Sequence, residues 1–320
     1  MTEINGRGTP SLAGSLATET SKGAHDKSQF EARIKRYGNA KSTALAMAKY
    51  IRENELNHTR VAHAIQECGS YLVFRNYFTK GEIRLHAAKF CKKHLLCPLC
   101  AIRRGAKHLG RYLDRFEQII AEKPNLKPYM VTLTVKDGED LGERFKHLQK
   151  SLQTWHKRRH RKNASCEAAK AEASVWSFEI KRGKRSGLWH PHVHCVWLCE
   201  TPPDQAQISK EWHSITGDSY IVDARPIDQA DPVSGFLEVF KYAVKFSEQP
   251  LEDTWHGYLT LTGKRMVGSF GDFYGISEPD DLTDDPLEGA PYFEMFYLYS
   301  HASGYFMVNT EVTSPEEVMS

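Results

Sequence analysis

Beyond Pro128 the apolar positions follow two alternating periods. Residues 129–136 (YMVTLTVK) put Val131, Leu133 and Val135 on one side and Thr132 and Thr134 on the other, the period of a half-buried strand. Residues 141 to about 161 carry Phe145, Leu148, Leu152 and Trp155 at helical spacing. Residues 174–181 (SVWSFEIK) alternate again with Trp176, Phe178 and Ile180 inward, and a basic, glycine-containing turn leads to a third strand over 188–198 (LWHPHVHCVWL). A short helix is predicted over 205–215, a fourth strand over 219–227 and a helix over 232–247.

This order, β-α-β-β-α-β with an extra helix behind it, predicts an α+β fold with a ferredoxin-like sheet. The first part of the chain reads differently. Residues 1–30 are rich in Gly, Ser and Thr and predict a disordered arm. A helical pattern over 40–66 stops at Gly69, and two strand-like runs flank a turn at Lys80 and Gly81. A cysteine cluster follows, and then a helix over 102–121.

Charge changes the picture more than composition does. The net charge is only +3, but residues 276–320 hold ten Asp and Glu and no Lys or Arg. The remaining body has 43 basic against 30 acidic residues, a charge of +13 suited to a polyanion. Its basic residues cluster around Arg103 and Arg104, around Lys157, Arg158 and Arg159, and around Lys181 and Arg182, which are the candidate DNA contacts. Four parts follow: the arm (1–30), a helical and Cys-rich DNA-binding module (31–127), the α+β domain (128–275) and an acidic tail (276–320) whose strand-like aromatic stretch leaves folding onto the body, dimerisation and a host-protein contact all open. With no signal-peptide pattern and no long apolar run, a cytoplasmic protein with no membrane segment is expected.

The chemistry concentrates in two places. On an alternating strand, His190, His192 and His194 share one face, where buried imidazoles would make a poor core and divalent-metal ligands make better sense. If strands 174–181 and 188–198 form a hairpin about Lys184 and Arg185, Glu179 falls opposite His190 to His192. Two imidazoles and a carboxylate suit Mg²⁺ or Mn²⁺, the third ligand being open between Glu179 and His190. On the 232–247 helix, Glu238, Tyr242 and Lys245 fall on one stripe opposite the apolar one, with Glu238 and Tyr242 one turn apart and able to touch. A phenol becomes a nucleophile when a metal or cation stabilises its phenolate. Taken alone, this helix is an ordinary amphipathic one with a solvated polar face.

Seven cysteines in a chain without an export signal argue against a disulfide framework. Cys91, Cys97 and Cys100, with Cys68 before them, have spacing suited to a closed structural Zn²⁺ site, with His94 or His86 as possible substitutes.

The segments ECGSYLVF, KFCKKHLLCPLCAIRRG, YMVTLTV, WHPHVH, IVDARPI, EVFKYAVK and GKRMVGSFG, in this order from about Cys68 to Gly275, resemble the plasmid rolling-circle replication initiators of the HUH endonuclease superfamily. The resemblance implies that His192 and His194 bind Mg²⁺ or Mn²⁺ and that Tyr242 attacks the nick-site phosphate, leaving a 5′-phosphotyrosine and a free 3′-hydroxyl. It also implies that Glu238 activates water at termination. The partners would be double- and single-stranded origin DNA, a host helicase and a DNA polymerase. Competing expectations are a conjugative relaxase, a single-tyrosine transposase or a non-enzymatic single-strand binder. The strands lack the stacking aromatics that the last would need.

Overall fold

The computed structural model describes residues 27–160 and 166–313. Two antiparallel sheets organise it. The larger contains β3 (Lys127–Thr134), β4 (Ala171–Arg182), β5 (Trp189–Cys199), β6 (Val222–Pro226) and β7 (Val267–Phe270) in the order β6-β3-β5-β4-β7. Helices α4 (Leu141–Arg158) and α5 (Gln205–Thr216) cover one face. Trp155 of α4 stacks against Trp197 of β5 and Trp212 of α5, with ring centroids 5.2 and 5.9 Å apart, and Phe145 meets Phe178 at 5.2 Å. The apolar sides of the alternating strands therefore all point toward α4. Asp140 and Asp204 start these helices by accepting backbone N–H bonds, from Glu143 and from Ala206 and Gln207 respectively.

The opposite, polar face of the sheet is covered by α6 (Val233–Phe240) and α7 (Tyr242–Ser247), with α3 (Pro98–Glu122) outside them. Phe116 and Tyr112 of α3 pack on Phe236 and Phe240 of α6 at 5.3 and 5.0 Å. The helix expected over 232–247 is thus broken at Lys241, which caps both pieces at φ −84° and ψ 0°. Helix α8 (Leu251–Leu261) follows, and the bare backbone of Gly257 takes the ring of Phe246: a Cβ there would lie 2.3 Å from it.

The smaller sheet joins chain segments that the sequence keeps apart. β1 (Tyr71–Tyr77) and β2 (Glu82–Ala88) pair as expected around the Lys80 and Gly81 turn. β8 (Tyr292–Ser300) then pairs with β1, and β9 (Gly304–Thr313) with β8. The segment read as an acidic tail is therefore built into the fold: its aromatic residues supply β8 and β9, and its carboxylates neutralise buried cations. Asp284 bonds Arg33 at 2.9 Å and Arg103 at 2.5 Å with all three side chains buried, while Asp285 meets Lys107 at 2.6 Å. Helix α1 (Lys27–Asn54) buries Phe30, Arg33, Tyr37, Ala40, Ala44, Met47 and Ile51 at three- to four-residue intervals against this sheet, α3 and α2 (Thr59–Glu67), which follows it. Residues 27–30, expected in the arm, open α1; the rest of the expected arm lies outside the described residues. Among the described residues no helix is long and apolar enough to cross a membrane.

Candidate functional site

The hairpin register sets the site. β4 and β5 pair Glu179 with His192 and Ser177 with His194, while β3 brings Thr134 to His192 and Thr132 to His194. All these side chains lie on the face turned away from α4. His192 Nε2 is 3.5 Å from Glu179 Oε1, and His194 Nε2 is 3.3 Å from Oε2. One donor atom from each of Glu179, His192 and His194 lies within 4.8 Å of the others.

Their surroundings favour a cation between them. Glu179 and His192 are buried, yet Glu179 Oε1, His192 Nδ1 and His194 Nε2 have no hydrogen-bond partner. Lys181 Nζ lies 2.7 Å from Glu179 Oε1, an ionic contact outside hydrogen-bond geometry. A buried ring nitrogen without a partner is costly, and a divalent ion among the three donors would satisfy His194 Nε2. Thr132 Oγ1 is 3.0 Å from His194 Nδ1, so with Nδ1–H donating to the hydroxyl, Nε2 keeps its lone pair for a metal. Burial lowers the His192 pKa, against the pull of the Glu179 charge, which keeps the imidazole neutral as a ligand must be. Burial works against ionising Glu179, but the adjacent His192 and His194 rings and the Lys245 ammonium hold it well below the usual carboxylate range. His190 stands one step along the row, its ring 5.3 Å from that of His192, and its Nδ1 is engaged by Asp137.

Helices α6 and α7 complete the site from above. Lys245 Nζ bonds Glu179 Oε2 at 2.6 Å and lies 3.6 Å from Glu238 Oε2, and Lys241 pairs with Glu238. The two ammonium groups overcome burial and hold the Glu238 pKa low. A cavity of about 810 Å³ opens beside them, lined by Lys181, Arg182, Lys184, Lys241 and Lys245. With Glu248 and Asp253 also in the lining, cations outnumber carboxylates five to two, a balance suited to phosphates.

Tyr242 is placed differently from the expected stripe. The break at Lys241 turns its side chain toward α3, where it is buried with the His94 ring 6.4 Å away. Burial pushes its pKa to about 12, opposed by the nearby Arg104 guanidinium. The partners of Glu238 are Lys241 and Lys245 rather than the phenol.

The basic clusters also separate. Lys181 and Arg182 line the cavity. Arg103 is fully buried on Asp284 and the Leu282 carbonyl, which corrects its reading as a DNA contact: helix α3 points it inward. Arg104 is half-buried and paired with Glu278. Lys157, Arg158 and Arg159 sit at the end of α4, across the sheet from the histidine face; Arg158 bonds Ser214, and Arg159 covers the Phe270 ring at 3.5 Å. Thr132, Asp137 and Lys241 were not singled out in the sequence. The alternation that put Thr132 on the polar face was the available signal for it.

The profile of a family described as "Replication protein" matches residues 82–290. A protein named "Protein rep" from Streptococcus pneumoniae serotype 2 (strain D39 / NCTC 7466) is 25% identical over 269 residues, covering 76% of this chain and 79% of that one. Another "Protein rep", from Bacillus sp, is 27% identical over 274 residues, covering 71% and 83%. A third, from Bacillus amyloliquefaciens, is 27% identical over 194 residues, covering 56% and 51%. No solved structure matches the chain.

Proposed function

The chain belongs to the replication protein family, and from that premise we propose that it initiates plasmid replication by nicking one strand of the origin through Tyr242. The observation that carries this reading is the Glu179, His192 and His194 donor set, with its unpartnered buried atoms, at the edge of a lysine-lined cavity. The strand order β6-β3-β5-β4 supports reading the larger sheet as the ferredoxin-like core of an HUH nuclease, with the histidine strand at its centre.

Glu179, His192 and His194 would hold Mg²⁺ or Mn²⁺, which as a Lewis acid polarises a phosphoryl oxygen. The chain's own residues do the rest. Lys181, Arg182 and Lys184 bind the strand by its backbone phosphates, leaving the bases free. The Tyr242 oxygen bonds to phosphorus as the bond to the 3′ oxygen breaks, leaving a 5′-phosphotyrosine and a 3′-hydroxyl that a polymerase extends behind a helicase. In the packed position the phenol keeps its proton, so the α6–α7 junction at Lys241 is the place where the chain must turn to present it. Phosphates arriving in the cavity compete for Lys241 and Lys245, which restores basicity to Glu238 for activating water when the cycle ends.

The test is Tyr242→Phe in full-length protein on a supercoiled origin plasmid with Mn²⁺. The variant is expected to bind the origin yet give neither nicked circles nor a covalent protein–DNA adduct. Nicking by the Phe variant overturns the assignment of the nucleophile.

A further inference from the structure

Four cysteines from three chain segments meet away from the histidine face. Cys68 ends α2, Cys91 lies after β2, Cys97 is the N-cap of α3 and Cys100 stands in its first turn. Cys68 Sγ is 3.5 Å from both Cys97 Sγ and Cys100 Sγ, and Cys91 Sγ is 3.7 Å from Cys100 Sγ; all four sulfurs lie within 4.8 Å of one another. These separations are far too long for a disulfide, about 2.05 Å. They approach the edge of a zinc–tetrathiolate tetrahedron, which a Zn–S bond of about 2.3 Å sets near 3.8 Å.

The backbone is arranged for negative sulfur. Cys91 N–H points to Cys68 Sγ at 3.4 Å, and Cys97 and Cys100 stand at the electropositive N-terminal end of α3. Lys92, between two of these cysteines in sequence, is the one non-glycine among the described residues with positive φ, at 57°, and folds the loop back. A buried ammonium, Lys41 Nζ, bonds the Cys68 carbonyl at 2.6 Å. Four thiolates and Zn²⁺ carry two net negative charges, and Lys41 offsets one of them.

We infer that Cys68, Cys91, Cys97 and Cys100 hold a structural zinc ion that pins α2 and the loop after β2 to the start of α3. Each thiol releases its proton to solvent as the ion binds. With four protein ligands the site is closed, so it shapes the fold and does no chemistry. It also fixes the loop carrying His94 and the helix carrying Arg104, the two side chains against which Tyr242 rests. The zinc assignment itself does not depend on Tyr242 being the nucleophile.

Full-length protein, purified in reductant without chelator, is expected to contain about one zinc per chain that survives in His194→Ala and in Cys166→Ser, Cys195→Ser and Cys199→Ser. Cys97→Ser and Cys100→Ser should each lose it. Should those variants fold poorly, the wild type decides: titration with an organomercurial in the presence of a zinc indicator should release one equivalent as four of the seven thiols react. Protein with no metal, with iron, or with a disulfide among these four overturns the inference. So does zinc that stays in the Cys97 and Cys100 variants and leaves with His194→Ala.

Discussion

Thr132→Val isolates one contact of the proposed metal centre. The hydroxyl sits on the strand neighbouring the histidine strand, fixed by the Thr132 and His194 pairing, and its Oγ1 is 3.0 Å from Nδ1. Valine keeps the branched shape and the strand preference, so the cost to folding is limited to one hydrogen bond, about 1 kcal/mol. The cost to metal binding is larger, because nothing then selects the tautomer with a free Nε2 or holds the ring toward Glu179. Lost partners of ligating histidines weaken metal binding by about 10- to 100-fold, or roughly 1.4 to 2.8 kcal/mol. Calorimetric titration of Mn²⁺ into wild-type and variant protein, with circular dichroism to verify the fold, measures it. Thr134→Val is the control, since that hydroxyl donates to the Ile221 carbonyl at 2.9 Å and should leave Mn²⁺ affinity unchanged. A Thr132→Val affinity within twofold of wild type, or an equal loss in both variants, refutes the reasoning.

Two further outcomes are expected. Glu238→Ala should still make the first nick but accumulate covalent adduct on a denaturing gel, because hydrolytic release fails; equal loss of both steps would assign Glu238 to holding Lys241 and Lys245 instead. Asp284, held at a pKa of about 2 against burial by Arg103 and Arg33, contributes stability that is complete above about pH 4 and drains away as pH falls through 2. Denaturant melts of wild type should therefore lose roughly 2 kcal/mol across that window. Asp284→Asn should be about 3 kcal/mol less stable at pH 7 and flatter in acid, and a parallel pH dependence of the two proteins would contradict the pairing.

Four strands of the larger sheet were legible from apolar faces of period two, while β7, only four residues long, was not. The same alternation, with the turn near Lys184 and Arg185, set Glu179 opposite the histidines: a one-residue error in register would have moved it to the Phe178 side. Pairing across long loops was not legible. Nothing local in residues 292–300 says that they hydrogen-bond to Tyr71–Tyr77, so the strand-like character of the tail was readable but its partner was not. The helical wheel treated α6 and α7 as one rod, and a single capping residue at Lys241 was enough to send Tyr242 to another neighbour. Arg103 illustrates the limit of counting basic residues, since α3 buries it against Asp284 while Arg104 beside it stays half-buried.

The smaller sheet sets an order of events during synthesis. Its inner strand β1 is translated early, yet one of its two edges waits for β8, more than two hundred residues later. Until then the ribosome-bound chain presents an open, apolar strand edge, the kind of surface that chaperones cover and that sister chains can join. Strand β8 closes that edge, and the segment leading into it delivers the Asp284 carboxylate for Arg33 and Arg103. A chain that stops before Tyr292 leaves β1 without this partner and should thus aggregate rather than remain partly active.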